Sequence, residues 1–199
     1  TMPEGYTQTN THLDSISEED VTSKVFKNIG GSTNGGAITI NNQNHGDINI
    51  LSDFIGNYAK LTSGSAHGGA IYNTKTTIGN ITGNFISNYA SASADSYSTV
   101  YGGAIHNTSY STIGDITGNF IGNYSYCNRG YASGGAIYNY SRSTIGNITG
   151  NFINNYVQAT YYTADAHGGA INNEIATIGN ITGNFIGNYA RGSWIRSEE

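Results

Sequence analysis

The chain has a single cysteine, Cys127, among 199 residues. One thiol closes no intrachain disulfide, so a framework of stapled loops is excluded. Cys127 sits in a variable stretch, where the expectation is an unpaired surface thiol, with an intermolecular bridge as the alternative. Charge is scarce too: 8 Lys+Arg stand against 13 Asp+Glu, for a net charge of -5. No basic stripe forms, and nucleic acid is not an expected partner. No stretch approaches the roughly 20 apolar residues of a membrane span, and no signal peptide is visible. The abrupt start at Thr1 fits an excised fragment or a mature segment. Also missing is any 3.6-residue apolar periodicity long enough for a helix.

What the chain has instead is repetition. Gly-Gly-Ala-Ile occurs five times: Gly35, Gly36, Ala37 and Ile38; Gly68, Gly69, Ala70 and Ile71; Gly102, Gly103, Ala104 and Ile105; Gly134, Gly135, Ala136 and Ile137; and Gly168, Gly169, Ala170 and Ile171. The spacings are 33, 34, 32 and 34 residues. Between these marks runs a second phrase, Ile-Gly-Asn-Ile-Thr-Gly-Asn-Phe-Ile-Gly-Asn-Tyr-Ala, complete at 178–190 and nearly so at 78–90, 113–125 and 145–157. A fixed period of this size marks a stacked-repeat architecture. Such rods present extended surfaces more often than deep pockets. The 28 glycines fall at fixed repeat positions, which points to required turns and close backbone approaches.

Each repeat divides into three short apolar pieces bounded by Gly, Asn, Thr or Ser, as in Gly68–Asn73, Thr77–Ile81 and Asn84–Tyr89; these are strand signals. A period of about 33 also belongs to ankyrin units, but those need two helices, and Gly, Asn and Thr are poor helix formers. The fold expected is an all-β parallel β-helix of five coils over residues 35–190. Residues 1–34 form a lead-in and 191–199 a tail. At a strand spacing of about 4.8 Å the five coils make a rod roughly 24 Å long.

Stacking turns sequence columns into ladders. The constant column Ile38, Ile71, Ile105, Ile137 and Ile171 is expected to point inward. The drifting column Thr39, Tyr72, His106, Tyr138 and Asn172 is expected to point to solvent. Asn73, Asn107, Asn139 and Asn173 are expected to bond rung to rung, with Ile40 in the first repeat. A second polar column is Asn57, Asn88, Asn123, Asn155 and Asn188, each three residues after Phe54, Phe85, Phe120, Phe152 or Phe185. Stacked Phe rings supply apolar area. Which face of this strand points inward stays open, because a bend at Gly56, Ser87, Gly122, Asn154 and Gly187 would break simple alternation. Two extra residues before Phe54 suggest a bulge.

The ends are less regular. Ser15 and Glu18 have capping-box spacing, so Ser15–Lys27 is either a short helix covering the end of the stack or a frayed arm with one strand at Lys24–Asn28. The tail, with Trp194 and Ile195, either folds over the last coil or leads into further coils. The connections Lys60–His67, Ser91–Tyr101, Ser125–Ser133 and Gln158–His167 vary in length. They carry Tyr97, Tyr101, Tyr126, Tyr131, Tyr161 and Tyr162 among Ser, Ala, Gly and Thr. Variable segments on a fixed scaffold often carry recognition, and Tyr with Ser and Gly is the composition of adaptable binding surfaces. The bland alternative is that they cover the coil corners.

Catalysis is not expected. Glycoside hydrolysis needs a carboxylate pair roughly 5–9.5 Å apart. The best candidates, Asp47 and Asp115, are assigned to one column with Asn80, Asn147 and Asn180, two rungs apart. Asp53, Asp95, Asp165 and Glu174 scatter over other columns. His67 and His167 precede Gly-Gly three coils apart, and His45 and His106 lie elsewhere, so no zinc spacing appears. No cofactor or metal is expected.

Gly-Gly-Ala-Ile alternating with Phe-x-x-Asn over five copies resembles the repeats of the chlamydial polymorphic outer-membrane proteins and related autotransporter passenger domains. The pairs are Gly35–Ile38 with Phe54 and Asn57, Gly68–Ile71 with Phe85 and Asn88, Gly102–Ile105 with Phe120 and Asn123, Gly134–Ile137 with Phe152 and Asn155, and Gly168–Ile171 with Phe185 and Asn188. The copies are more uniform than that family's, and the cysteines frequent in the chlamydial members are missing. The resemblance implies a right-handed, single-stranded parallel β-helix on the bacterial cell surface, with adhesion to host cells as its role. The expected partner is a host cell-surface protein or glycan, met through the tyrosine-rich connections. The alternatives are a stalk or self-associating module and, further off, a carbohydrate-active enzyme.

Overall fold

Parallel strands stack as a β-solenoid of about five turns with about 33 residues per turn. The computed structural model describes residues 2–31, 34–46, 48–93, 96–161 and 164–193. The repeat strands described pair in parallel and in register with the repeat, so Ile71 meets Ile38 and Ile105, and Phe85 meets Phe54 and Phe120. One body sheet is built from the Ile strands, among them Ile71–Thr74 and Ile105–Thr108. A second contains two-residue strands such as Thr77–Ile78. In the third, the six-residue strand Ile50–Ile55 splits in the next coil into Ile81–Thr82 and Phe85–Ile86.

The core is made of columns. Ile38, Ile71, Ile105 and Ile137, together with Phe26, Phe54, Phe85, Phe120 and Phe152, are fully buried. Each buried side chain of this size contributes about 1.5–3 kcal/mol relative to exposure. The Phe rings stack at 4.7–5.1 Å between centroids. Phe26 extends this column into the lead-in, where Thr22–Lys27 pairs with Ile50–Ile55 and Thr7–Thr9 pairs with Thr22–Lys27. The expected helix and the expected strand are therefore both present there. The helix is one turn, Glu18–Val21, and its capping box is Ser17 with Asp20 rather than Ser15 with Glu18. Ile16 is buried in the core, so the helix starts after it.

The bend after Phe-Ile is real: Gly56, Ser87, Gly122, Asn154 and Gly187 all have φ between 54° and 65°. The extra residues of the first repeat do not bulge its strand. Between its His45 and Ile50 lie two more residues than between Ile78 and Ile81, so the surplus sits in that turn. The register shift falls one coil earlier, at Ser23, whose φ is 54°.

The connections between Phe strands and Gly-Gly motifs are not irregular corner covers. Each leaves on a strand such as Tyr89–Ala92 or Tyr124–Cys127 and returns on one such as Ser98–Tyr101 or Gly130–Ser133. Outgoing strands stack as one parallel sheet and returning strands as another. Between them lies a second core of small residues, including Ala59, Ala90, Val100, Cys127, Ala132 and Val157. The product is a two-layer fin beside the solenoid body. Cys127 is consequently buried rather than a surface thiol, and burial pushes its pKa up to about 12.

The Gly-Gly pair is the corner where fin meets body. Gly102 turns the chain at φ +66°, and a Cβ on Gly103 would overlap the Gly135 carbonyl of the next coil. Gly-Gly-Ala-Ile is thus scaffold: two glycines for the corner, then Ala and Ile for the core.

Candidate functional site

Four polar ladders fix the coils before any binding surface is considered. Asn73, Asn107, Asn139 and Asn173 pass a bond from Nδ2 to the next Oδ1, each 2.9 Å. Ile40 has no amide to offer Asn73, whose Oδ1 is left without a donor. Asn57, Asn88, Asn123, Asn155 and Asn188 do the same at 2.9–3.0 Å, and each Oδ1 from Asn88 onward also accepts from a backbone N–H of the preceding coil. Outside the core, Asp53, Asn84, Asn119, Asn151 and Asn184 form a third ladder. The fourth is Asn49, Asn80, Asp115, Asn147 and Asn180.

That fourth ladder corrects the column proposed for a carboxylate pair. Asn49, not Asp47, holds the rung below Asn80, because the surplus turn residues shift the count. Asp115 Oδ1 accepts from the Asn147 N–H at 2.7 Å, and Asp53 Oδ1 from the Asn84 N–H at 2.7 Å. Both acids serve the stacking of coils. Asp47, Asp95, Tyr162, Trp194 and Ile195 lie outside the described residues. Among the described residues no group of three His, Cys, Asp or Glu is placed to hold a metal, and no helix is long and apolar enough to cross a membrane.

Among several concavities of similar size, the one that gathers the variable tyrosines is a groove of about 420 Å³ between the returning sheet of the fin and the Ile sheet of the body. The fin wall carries Tyr97, Thr99, Tyr101 and Tyr131; the body wall carries Tyr72, His106, Tyr138, Tyr140 and Glu174. Strand alternation places them there. Val100 and Ala132 turn into the fin core, so Thr99, Tyr101 and Tyr131 turn out. The drifting body column was expected in solvent. His106 and Tyr138 are instead only 3% exposed, because the fin lays its own aromatics over them.

The rings form a continuous cluster. Tyr101 stacks on Tyr138 with centroids 4.7 Å apart, and Tyr131 leans against Tyr101 at 5.8 Å and 57°. His67 meets Tyr72, Tyr101 and His106 at 5.0–5.6 Å. Such pairs add about 0.5–1.5 kcal/mol each beyond area burial. His67 Nδ1 and His106 Nδ1 are 3.1 Å apart, so one neutral ring donates to the other. Burial lowers the His67 pKa to about 4. Burial, then the neighbouring His67, hold His106 well below the usual histidine range. His106 Nε2 is buried with no partner. The Tyr138 hydroxyl donates to Glu174 Oε2 at 3.0 Å. Burial first, and then the negative charge of Glu174, raise the pKa values of Tyr138 and Tyr131.

Of the tyrosines singled out from the sequence, the groove gathers Tyr97, Tyr101 and Tyr131. Tyr126 does not join them. Its strand neighbours Ser125 and Cys127 point into the fin, so Tyr126 faces out from the opposite layer, where its hydroxyl lies 3.4 Å from Thr160 Oγ1. Tyr161 lies beneath the Arg129 guanidinium at 5.8 Å. The opposite layer also carries the ladder Tyr58, Tyr89, Tyr124, Tyr156 and Tyr189, stacked at 4.8–5.2 Å. Burial and the flanking Tyr156 and Tyr89 push Tyr124 to about 12. Sequence reasoning missed the groove contributions of His67, Tyr72, His106, Tyr138, Tyr140 and Glu174. The available signal was that residues just before Gly-Gly and just after Ala-Ile flank the same corner.

No protein-family model matches the chain, and no curated protein or solved structure is significantly similar to it.

Proposed function

We propose that this chain is a non-enzymatic recognition segment of a surface-displayed, autotransporter-like bacterial adhesin, and that it binds a host cell-surface protein or glycan in the groove between fin and body. One observation carries the reading: variable tyrosines from separate repeats converge on one concave wall, while the repeat phrase itself supplies only core, corners and ladders. Aromatic rings with polar tips give large contact area for little conformational entropy. The motif resemblance supplies the cell-surface setting. The test is attachment of protein-coated beads to epithelial cells, competed with soluble protein. Saturable, competed attachment supports the reading; folded protein that gives none overturns it.

A second reading is a self-associating stalk. The outward column Ile55, Ile86, Ile121 and Ile153 is half-buried along the rod, an apolar stripe on a sheet that shows little charge. Sedimentation as a monomer at 100 µM, about the strength of a weak interface, would count against it.

A further inference from the structure

We infer that the groove recognises an organic cation, an alkylammonium or guanidinium group, held over tyrosine faces and paired with Glu174; this rests on the reading of the groove as the binding surface. Among the described residues no Lys or Arg lines the groove, and Glu174 is the one carboxylate that does. That carboxylate accepts from the Tyr138 hydroxyl and makes no ion pair among the described residues. The two histidines bring no positive charge at neutral pH, since burial keeps both rings neutral. The site is thus a π-lined concavity with a net negative charge, and tyrosine faces attract cations through the ring quadrupole.

The same chain already uses this chemistry elsewhere. Arg142 lies over the Tyr110 ring at 5.7 Å and donates from Nη1 to the Tyr110 hydroxyl at 3.0 Å. Arg129 lies over Tyr161 at 5.8 Å. In the groove the tyrosines are present and the cation is left for a ligand to bring. A volume of about 420 Å³ is at the small end of ligand sites, the size of a headgroup or a side chain rather than a folded domain. Anionic ligands such as sulfated or sialylated sugars would meet Glu174 with no compensating cation.

The experiment is a titration of the folded protein followed by tyrosine side-chain NMR signals. The probes are choline, N-acetyl-arginine amide, the neutral choline isostere 3,3-dimethylbutan-1-ol, and methyl glucoside. Saturable binding of at least one cation is expected, about tenfold tighter than the neutral isostere. Glu174→Gln keeps the shape and the hydrogen bond and is expected to weaken cation binding by roughly tenfold. Tighter choline points to a lipid or glycan headgroup as the source; tighter arginine points to a protein side chain. Equal binding of the isostere, an unaffected Glu174→Gln protein, methyl glucoside binding in preference to both cations, or no cation binding at 50 mM each overturns the inference. Cell attachment separates this from the reading beneath it. If Tyr97→Ser/Tyr131→Ser abolishes attachment while the cations fail, recognition stands and the cation does not.

Discussion

Replacing Asn123 by Ala should be among the costliest single changes in this protein. Asn123 is fully buried. Its Oδ1 accepts from Asn88 N and Asn88 Nδ2 at 3.0 Å, and its Nδ2 donates to Phe85 O at 2.8 Å and Asn155 Oδ1 at 2.9 Å. Four bonds go at once. Asn88 Nδ2 keeps Phe54 O, and Asn155 Oδ1 keeps the residue-123 backbone N–H. The Asn88 N–H keeps nothing, in a place water does not reach. A net worth of about 1 kcal/mol per bond plus about 1–3 kcal/mol for a buried orphan sums to roughly 5–7 kcal/mol, and local relaxation brings this to about 3–5 kcal/mol. Asn188→Ala is the internal control. It removes the acceptor of Asn155 N and Nδ2 and the donor to Phe152 O, but Asn188 is only half-buried, between exposed neighbours, and water can replace it, so about 1 kcal/mol is expected. Urea unfolding followed by circular dichroism measures both. Coils of a solenoid can separate on unfolding, so the early phase should be read for Asn188 and the main one for Asn123. If Asn123→Ala costs no more than Asn188→Ala, the ladder does not hold the coils together.

Other expectations follow from particular residues. Cys127, buried and with its thiol pushed to about 12, should resist iodoacetamide at pH 8 for hours and react within minutes in 6 M urea; fast native labelling would refute its placement. Gly103→Ala should prevent folding or cost more than about 3 kcal/mol, because the new methyl meets backbone of two chain segments, as circular dichroism of the purified chain would show. His67 is held at about 4 against 6.5, so its contribution is intact above pH 6.5 and is lost as pH falls toward 4. The melting temperature should drop across that window and drop less in His67→Gln. At the alkaline end the sign reverses. Tyr124, raised from 10.0 to about 12, stabilises the fold below pH 10 and loses that contribution as pH rises through 12, with the 295 nm tyrosinate signal as the readout.

The legible part of this fold was whatever repeats. A column whose residue never changes must face a constant environment, so the Ile column and the Asn73 column announced core and ladder directly, whereas the facing of the Phe and Asn57 columns stayed open until the bend after Phe-Ile was seen. The bend after Phe-Ile was hinted at by Gly and Asn, which tolerate positive φ, although Ser87 in the same column carried no such signal. What varies between repeats was misread. Tyr124–Cys127 and Gly130–Ser133 are strands, but their columns drift, and small residues such as Ala90 and Ala132 do not signal a core until two sheets are seen to close on them. The hidden fin then misled the surface reading: His106 and Tyr138 alternate outward from the body, yet outward there means into the fin. The Asp47 column failed on a count, since two surplus residues between His45 and Ile50 give its rung to Asn49.

The measurement that bears most directly on the proposed role is bead attachment by two variants that divide the tyrosines by face. Tyr97→Ser/Tyr131→Ser strips the groove wall, and Tyr126→Ser/Tyr161→Ser strips the outgoing side of the fin. With both shown to be folded, the groove variant should lose attachment to epithelial cells by at least tenfold and the other should bind like the parent. Equal loss in both, or loss only on the outgoing side, would contradict the assignment of recognition to the groove.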